Sequence, residues 1–167
     1  MARVERGGGS GRARRWTLHF PPLEARLVSG LPDQLARLLA NPGENRRVID
    51  RLFPPSYADA AEEKEHRVLL GGMLLEQRQE LLVDIRARIK AAGTGSKGLR
   101  LELDEAGLDL WLRFINDVRL VLATDLDIRT NLSETTVPRG HPDAARHSLL
   151  VYLTGLEAAI VASLSEP

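Results

Sequence analysis

The chain contains no cysteine, and this absence removes several kinds of chemistry at once. Disulfides, thiolate nucleophiles, thiolate zinc sites and thiol redox switches all require that side chain. Only 4% of the residues are aromatic, and none alternates with basic residues as a base-stacking surface for nucleic acid requires. We therefore predict no cysteine chemistry and no aromatic nucleic-acid platform.

Long apolar runs and net charge are also missing. No stretch approaches ~20 uninterrupted apolar residues, so we predict no membrane-spanning segment. The N-terminus has no apolar run behind its arginines, so we expect no secretory signal. Lys plus Arg equals Asp plus Glu at 23 each, so the whole chain has no net field for DNA or membrane. These features favour a cytoplasmic protein.

The charge is distributed unevenly, because the N-terminus is rich in arginine. Residues 1–14 are glycine- and arginine-rich with little to bury, which predicts a disordered arm. Its basic residues, together with the first residue of the domain behind it, are candidate contacts for a protein partner or DNA. They are Arg3, Arg6, Arg12, Arg14 and Arg15. The alternative is a tail that only aids solubility.

The remainder, residues 15–165, is predicted to be one mostly α-helical domain. Apolar residues alternate in RWTLHF (15–20) and in LRLEL (99–103), the period-2 pattern of half-buried strands. We expect these two to pair as a small two-stranded ribbon. Helical spacing is found over 23–40, 57–92, 105–126 and 142–163, with a short helical turn over 46–53. The fold class is therefore a bundle of four main helices plus the ribbon. We expect Ser29-Gly30-Leu31-Pro32 to break or bend the first helix. We expect Gly71-Gly72 to kink the helix over 57–92 or to admit a close helix crossing.

No residue pattern indicates catalysis, a metal site or a cofactor. Glu63 and His66 have the Glu-x-x-His spacing of di-iron bundles, but those sites need a second such pair and two more carboxylates. There is no Gly-x-Ser-x-Gly nucleophile turn, and the glycines of the arm lack the Lys-Ser/Thr ending of a phosphate loop. We predict no catalytic residue, no metal and no cofactor.

The segment WLRFINDVRLVL, residues 111–122, is an apolar helix interrupted by polar residues. Arg113 and Asp117 stand at i and i+4, which predicts a surface pair. Arg119 is at the edge of the apolar face, where a guanidinium needs a carboxylate or several carbonyls. Asn116 could tie the helix to a neighbouring loop. We interpret these residues as a structural pin that fixes helix register, with a ligand or catalytic site as the alternative.

The run LRLELDEAGLDLWLRFINDVRLVLATDLDI resembles the signature of a bacterial domain-of-unknown-function family, the AosR-like oxidative-stress transcriptional regulators. The upstream stretch DRLFPPSYADAAEEKEHRVL is similar to that family as well, and the resemblance covers about residues 14–165. The motif positions that match are Trp111, Asn116, Asp117, Arg119 and Leu120. The resemblance implies a non-enzymatic regulator that works with a sigma factor or polymerase, and family genes often neighbour the ClpS protease adaptor.

The resemblance also implies redox sensing through a Cys-x-x-x-Cys pair, which a chain without cysteine cannot perform. We therefore expect a regulatory or adaptor protein that binds protein and possibly DNA, with the arginine arm and the 127–141 loop as surfaces. The alternative is a ligand-binding or enzymatic bundle that uses Asn116, Asp117 and Arg119. A homodimer formed through leucines such as Leu110 and Leu120 is a third hypothesis.

Overall fold

The computed structural model describes residues 1–7, 14–128 and 140–165. Within them the chain forms five helices and a three-stranded sheet. The strands are β1 (Arg3–Gly7), β2 (Arg15–Phe20) and β3 (Leu99–Leu103), and the helices are α1 (Pro22–Ala40), α2 (Arg46–Leu52), α3 (Ala60–Ala92), α4 (Glu105–Asp125) and α5 (Ala144–Ser165). The prediction of a mostly α-helical fold is confirmed, while the count of four main helices is not.

The sheet is antiparallel with the order β1-β2-β3. As the alternating pattern predicts, Leu18 pairs with Leu101 and Phe20 with Leu99, so β2 and β3 direct their apolar residues to one face. That face is completely buried, whereas the opposite face is solvated. The sheet therefore has one core side and one open side, as is common for antiparallel sheets.

The prediction of a two-stranded ribbon is wrong in one respect, because β1 adds a third strand to the sheet. Arg3 and Arg6 belong to this strand rather than to a disordered arm, and Arg12 lies outside the described residues. Pairing with β1 satisfies the edge of β2 that would otherwise be open. Val4, opposite Leu18, adds a partly buried side chain to the core. One apolar residue among charges is too weak a pattern to predict this strand.

α1 is continuous, so the segment Ser29-Gly30-Leu31-Pro32 does not break it. Pro32 lies inside the helix, and both Leu31 and Pro32 are buried. A proline inside a helix removes one backbone hydrogen bond and clashes with the preceding turn. The packing of Leu31 and its neighbours against the core keeps the segment helical despite that cost.

Two aspartates cap the N-termini of α3 and α4. Asp59 accepts hydrogen bonds from the backbone N–H groups of Ala61 and Glu62 at 2.8 and 3.0 Å, and this capping starts α3. Asp104 accepts a hydrogen bond from the N–H of Gly107 at 2.8 Å and caps α4. These caps set where the two helices enter the fold.

The core is centred on Trp111, which is fully buried on α4. Its ring lies 5.5 Å from that of Phe114 and 6.1 Å from that of Phe20, measured between centroids. α4 thus contacts the sheet, and it also packs against α2, α3 and α5. It is the central helix of the domain, and its buried polar side chains face different neighbours.

α5 is long and apolar enough to cross a membrane by length and composition alone, with a mean hydropathy of 1.6. Core helices of soluble proteins meet the same criterion. Here α5 supplies buried residues to the core, among them Leu153 and Ile160, and its Tyr152 donates a hydrogen bond to Glu24 of α1 at 2.6 Å. These contacts make it an integral part of the helical packing.

Candidate functional site

Asp117 lies buried between α3 and α4, so the predicted surface pair with Arg113 is wrong. Its carboxylate contacts the guanidinium of Arg78 on α3 at 3.2 Å. Arg113 pairs instead with Asp109, one turn earlier on α4, at 2.9 Å. The helical wheel placed Asp117 away from the main apolar face, but α3 covers that side of α4 as well.

The environment of Asp117 is electrostatically costly. One carboxylate oxygen has no hydrogen-bond partner among the described residues. Burial raises the pKa of Asp117 to about 6, and the nearby Arg78 only partly opposes that rise. The guanidinium carbon of Arg78 also lies 5.7 Å from the ring centre of Phe53, a cation–π contact that holds the arginine over α4.

Arg119 joins α4 to α5. Its guanidinium forms an ion pair with Glu157 and donates a hydrogen bond to the hydroxyl of Thr154 at 3.1 Å. Both charged side chains are about three quarters buried, at 26% and 24% exposure. Burial lowers the pKa of the Arg119 guanidinium. The expected carboxylate partner is therefore present, and the contact fits the interpretation of a pin between helices.

Asn116 is exposed, and its amide makes no hydrogen bond to any described residue, so the expected tie to a loop is not found there. Trp111 is at the opposite extreme, fully buried with its indole N–H unpaired among described groups. The motif residues that were predicted together therefore occupy four separate environments. They are not brought together around one pocket.

A broad groove of about 1080 Å³ runs between α2, the part of α3 from Glu63 to Asp84 and the beginning of α4. Its walls combine leucines, such as Leu74, Leu81 and Leu110, with charged residues that include Glu80 and Asp84. Arg78 lines it as well, so the buried Arg78–Asp117 pair closes one part of its floor. Sequence reasoning missed this groove because it arises from the angle between helices.

The predicted basic contacts lie on or near the sheet. Register places Arg3, His19 and Arg100 in one row across the three strands. The next row consists of Glu5, Thr17 and Glu102. Arg15 is exposed beyond that row, on the same face, and Arg14 is exposed just before β2. Arg6 points to the other face, opposite Trp16, and is half-buried. The open face of the sheet thus carries alternating basic and acidic rows.

The remaining sequence predictions concern a metal site, the 127–141 loop and two leucines. Among residues 1–7, 14–128 and 140–165, no three His, Asp or Glu side chains are grouped as metal ligands. Glu63 accepts hydrogen bonds from Arg67 and from the backbone N–H of Ser56 and Tyr57. Most of the 127–141 loop lies outside the described residues. Leu110 and Leu120 are half-buried and pack against the core.

Fold and site together define a small, mostly helical domain with a solvated charged sheet and a groove between helices. The model of the family described as domain of unknown function DUF2017 matches residues 1–164, so the chain belongs to that family. A candidate oxidative stress regulator, AosR, of Mycobacterium leprae (strain TN) is 38% identical over 65 residues. That match covers 39% of this chain and 30% of the relative. No solved structure matches the chain.

Proposed function

We propose that this chain is a non-enzymatic, cytoplasmic regulatory or adaptor protein that acts in the oxidative-stress response by binding another protein. The relative named as a candidate oxidative stress regulator supports the physiological setting. The charged open face of the sheet carries the proposal of a binding surface. Resemblance to AosR-like regulators favours a sigma factor, RNA polymerase or a component of the ClpS pathway as the partner.

The charge pattern on this face favours a protein over DNA. The basic row of Arg3, His19 and Arg100 is followed by an acidic row that contains Glu5 and Glu102. Nucleic-acid phosphates attract the first row and are repelled by the second, so they gain little from the whole face. A protein surface with the inverse arrangement of charges satisfies both rows and gains specificity. DNA contact is then secondary.

Regulation in this chain cannot use a thiol. With no cysteine, the chain has no disulfide to form under oxidation. The response to oxidative stress is therefore proposed to reach this protein through its partner. A redox-active group on the partner, or a change in the partner's abundance, would carry the stress signal to this protein.

The proposal is tested by affinity capture from the native host with the full chain as bait. Arg3→Glu combined with Arg100→Glu should lower recovery of the partner at least tenfold, because the basic row becomes acidic. Arg26→Glu, at an exposed arginine of α1, is the matched control and should leave recovery unchanged. Equal recovery with both variants contradicts the assigned surface. Recovery of no sigma factor, polymerase or ClpS-pathway protein contradicts the function.

The alternative of an enzymatic or ligand-binding bundle requires Asn116, Asp117 and Arg119 around one pocket. Asp117 pairs with α3, Arg119 pairs with α5, and Asn116 is exposed. None of the three lines the large groove or the smaller one beside α2. We therefore favour the regulatory function over this alternative.

A further inference from the structure

The first two thirds of α3 have no buried side chain among those described. From Ala60 to Leu81 every described side chain is exposed or half-buried, and the first fully buried one is Leu82. This part nevertheless carries apolar residues. Val68 is 77% exposed, Met73 is 47% exposed, and Leu74 is half-buried beside the groove. Helices of globular proteins gain most of their stability by packing an apolar face, and the described side chains of this segment form no fully buried face within the chain.

Gly71 and Gly72 stand in the middle of this segment. A Cβ atom built on either would have nothing within 4 Å, so no neighbouring element of the described chain needs their small size. Each glycine inside a helix lowers the stability of that helix relative to alanine. The pair therefore weakens the exposed segment of α3, and no described neighbour compensates by packing against the glycines.

On the side of α3 that carries Met73, one polar pair, His66 and Asp84, is complementary to the same helix in reverse. His66 and Asp84 both line the groove and are equally distant in sequence from Leu75. An antiparallel copy of α3 with a twofold axis near Leu75 therefore brings His66 of each chain next to Asp84 of the other. Neither Asp84 nor the neighbouring Glu80 has a partner among the described residues. Self-complementarity of this kind is what a twofold interface requires.

We propose that α3 and the groove form the interface of a homodimer, with the α3 helices of two copies packed antiparallel about an axis near Leu75. Met73 and Leu74 are central in this contact. The exposed side chain of Met73 and the half-buried side chain of Leu74 are then covered, and each His66 faces an Asp84. This inference concerns a different surface from the open face of the sheet, so the two proposals stand or fall separately.

Sedimentation equilibrium of the purified full chain tests the proposal without any partner. The expected mass is twice the 18.5 kDa of one chain. Met73→Glu and Leu74→Glu should each raise the dissociation constant at least tenfold, because a carboxylate is then buried at the axis. Val151→Glu is the matched control, since Val151 on α5 is 48% exposed and Met73 is 47% exposed. It should leave the mass unchanged.

Charge reversal and crosslinking test the register. Asp84→Lys alone should weaken the dimer, and adding His66→Asp should restore it. Because the chain has no cysteine, Leu74→Cys provides a single thiol near the axis and should give a disulfide-linked dimer under mild oxidation. Val151→Cys should not. Leu74→Cys keeps a small apolar side chain, so it remains informative if the glutamate variants fail to fold by circular dichroism.

Two results overturn the proposal. One is a single-chain mass for the unmodified protein at concentrations up to about 100 µM. The other is a dimer that survives both glutamate substitutions in α3 or that is abolished by Val151→Glu, because the contact then lies elsewhere. Neither result bears on capture of a regulatory partner by the sheet.

Discussion

Asp117 and Arg119 stand two residues apart on α4 and connect that helix to opposite neighbours. Asp117 faces Arg78 on α3, and Arg119 faces Glu157 and Thr154 on α5. The two contacts differ in cost. The carboxylate of Asp117 is almost fully buried with one oxygen unpaired among described groups, whereas the Arg119 pair keeps partial access to water. Substitutions of Asp117 and Arg119 should therefore change the free energy of unfolding in different ways.

For Asp117, the expected signature is a pH dependence of stability. Its pKa is about 6 in the folded chain and 3.8 in an unfolded one. Between these values the folded chain binds the proton more strongly, so this group favours folding at low pH. That contribution is lost as the pH rises through 6, and it amounts to about 3 kcal/mol over the full window.

Asp117→Asn removes this titration while keeping the shape of the side chain. Relative to the unmodified chain, the free energy of unfolding of the variant should improve by up to about 3 kcal/mol between pH 4 and pH 7. Urea denaturation at several pH values measures it. Asp109→Asn, at the exposed partner of Arg113, should give a difference that hardly changes with pH. A constant difference for Asp117→Asn as well would contradict the raised pKa.

Arg119→Leu should destabilise the fold by about 1–3 kcal/mol, because Glu157 loses a charged hydrogen-bond partner in a mostly buried position. The exposed pair offers a control, since Arg113→Leu should change stability by about 0.5 kcal/mol or less. A double-mutant cycle with Glu157→Gln isolates the coupling between the two side chains. Coupling near zero would show that the pair does not hold α4 to α5.

At the scale of elements, the turn before β3 depends on one glycine. Gly98 has a φ of +97°, and a Cβ there would lie 2.0 Å from the carbonyl oxygen of Phe20 at the end of β2. Gly98→Ala should therefore lower the free energy of unfolding by at least about 2 kcal/mol, through strain and the backbone clash together. Thermal and urea denaturation measure it.

Gly93 supplies the comparison for that prediction. It ends α3 with a φ of +71°, but a Cβ there would meet nothing within 4 Å. Gly93→Ala should cost about 1–3 kcal/mol, because φ +71° with ψ 138° strains any residue that has a Cβ, and it should cost less than Gly98→Ala because no atom obstructs the added Cβ. If the two alanines cost the same, the contact between Gly98 and Phe20 is not what limits substitution.

Elements with strong local patterns were the ones that the sequence predicted well. The pairing of β2 with β3 follows from alternation, and α4 follows from its Asp104 cap and its apolar face. β1 was missed because Val4 alone does not make an alternating pattern among charged residues. The first helix was predicted to break or bend at residues 29–32. It continues through Pro32 because of the tertiary packing of Leu31, which local propensity cannot include.

At the scale of the whole molecule, the sequence predicted the class of fold but not the contacts between helices. The partner of Asp117 is Arg78, and the partner of Arg119 is Glu157, and neither pairing has a local signal. The groove depends on how α3 leaves the core after its buried C-terminal third. The arginines Arg3, Arg15 and Arg100 share one face only because of strand register.

The change in burial at Leu82 divides α3 into two regions of unequal local stability. The helix has 33 residues and a length of about 50 Å, yet all of its fully buried side chains lie in its last third. Amide hydrogens after Leu82 should exchange with solvent only through global unfolding, whereas those between residues 64 and 80 should exchange through local opening, orders of magnitude faster. Hydrogen–deuterium exchange of the dilute chain should therefore show one continuous helix with two protection levels, and concentrating the protein should slow exchange in the first region alone.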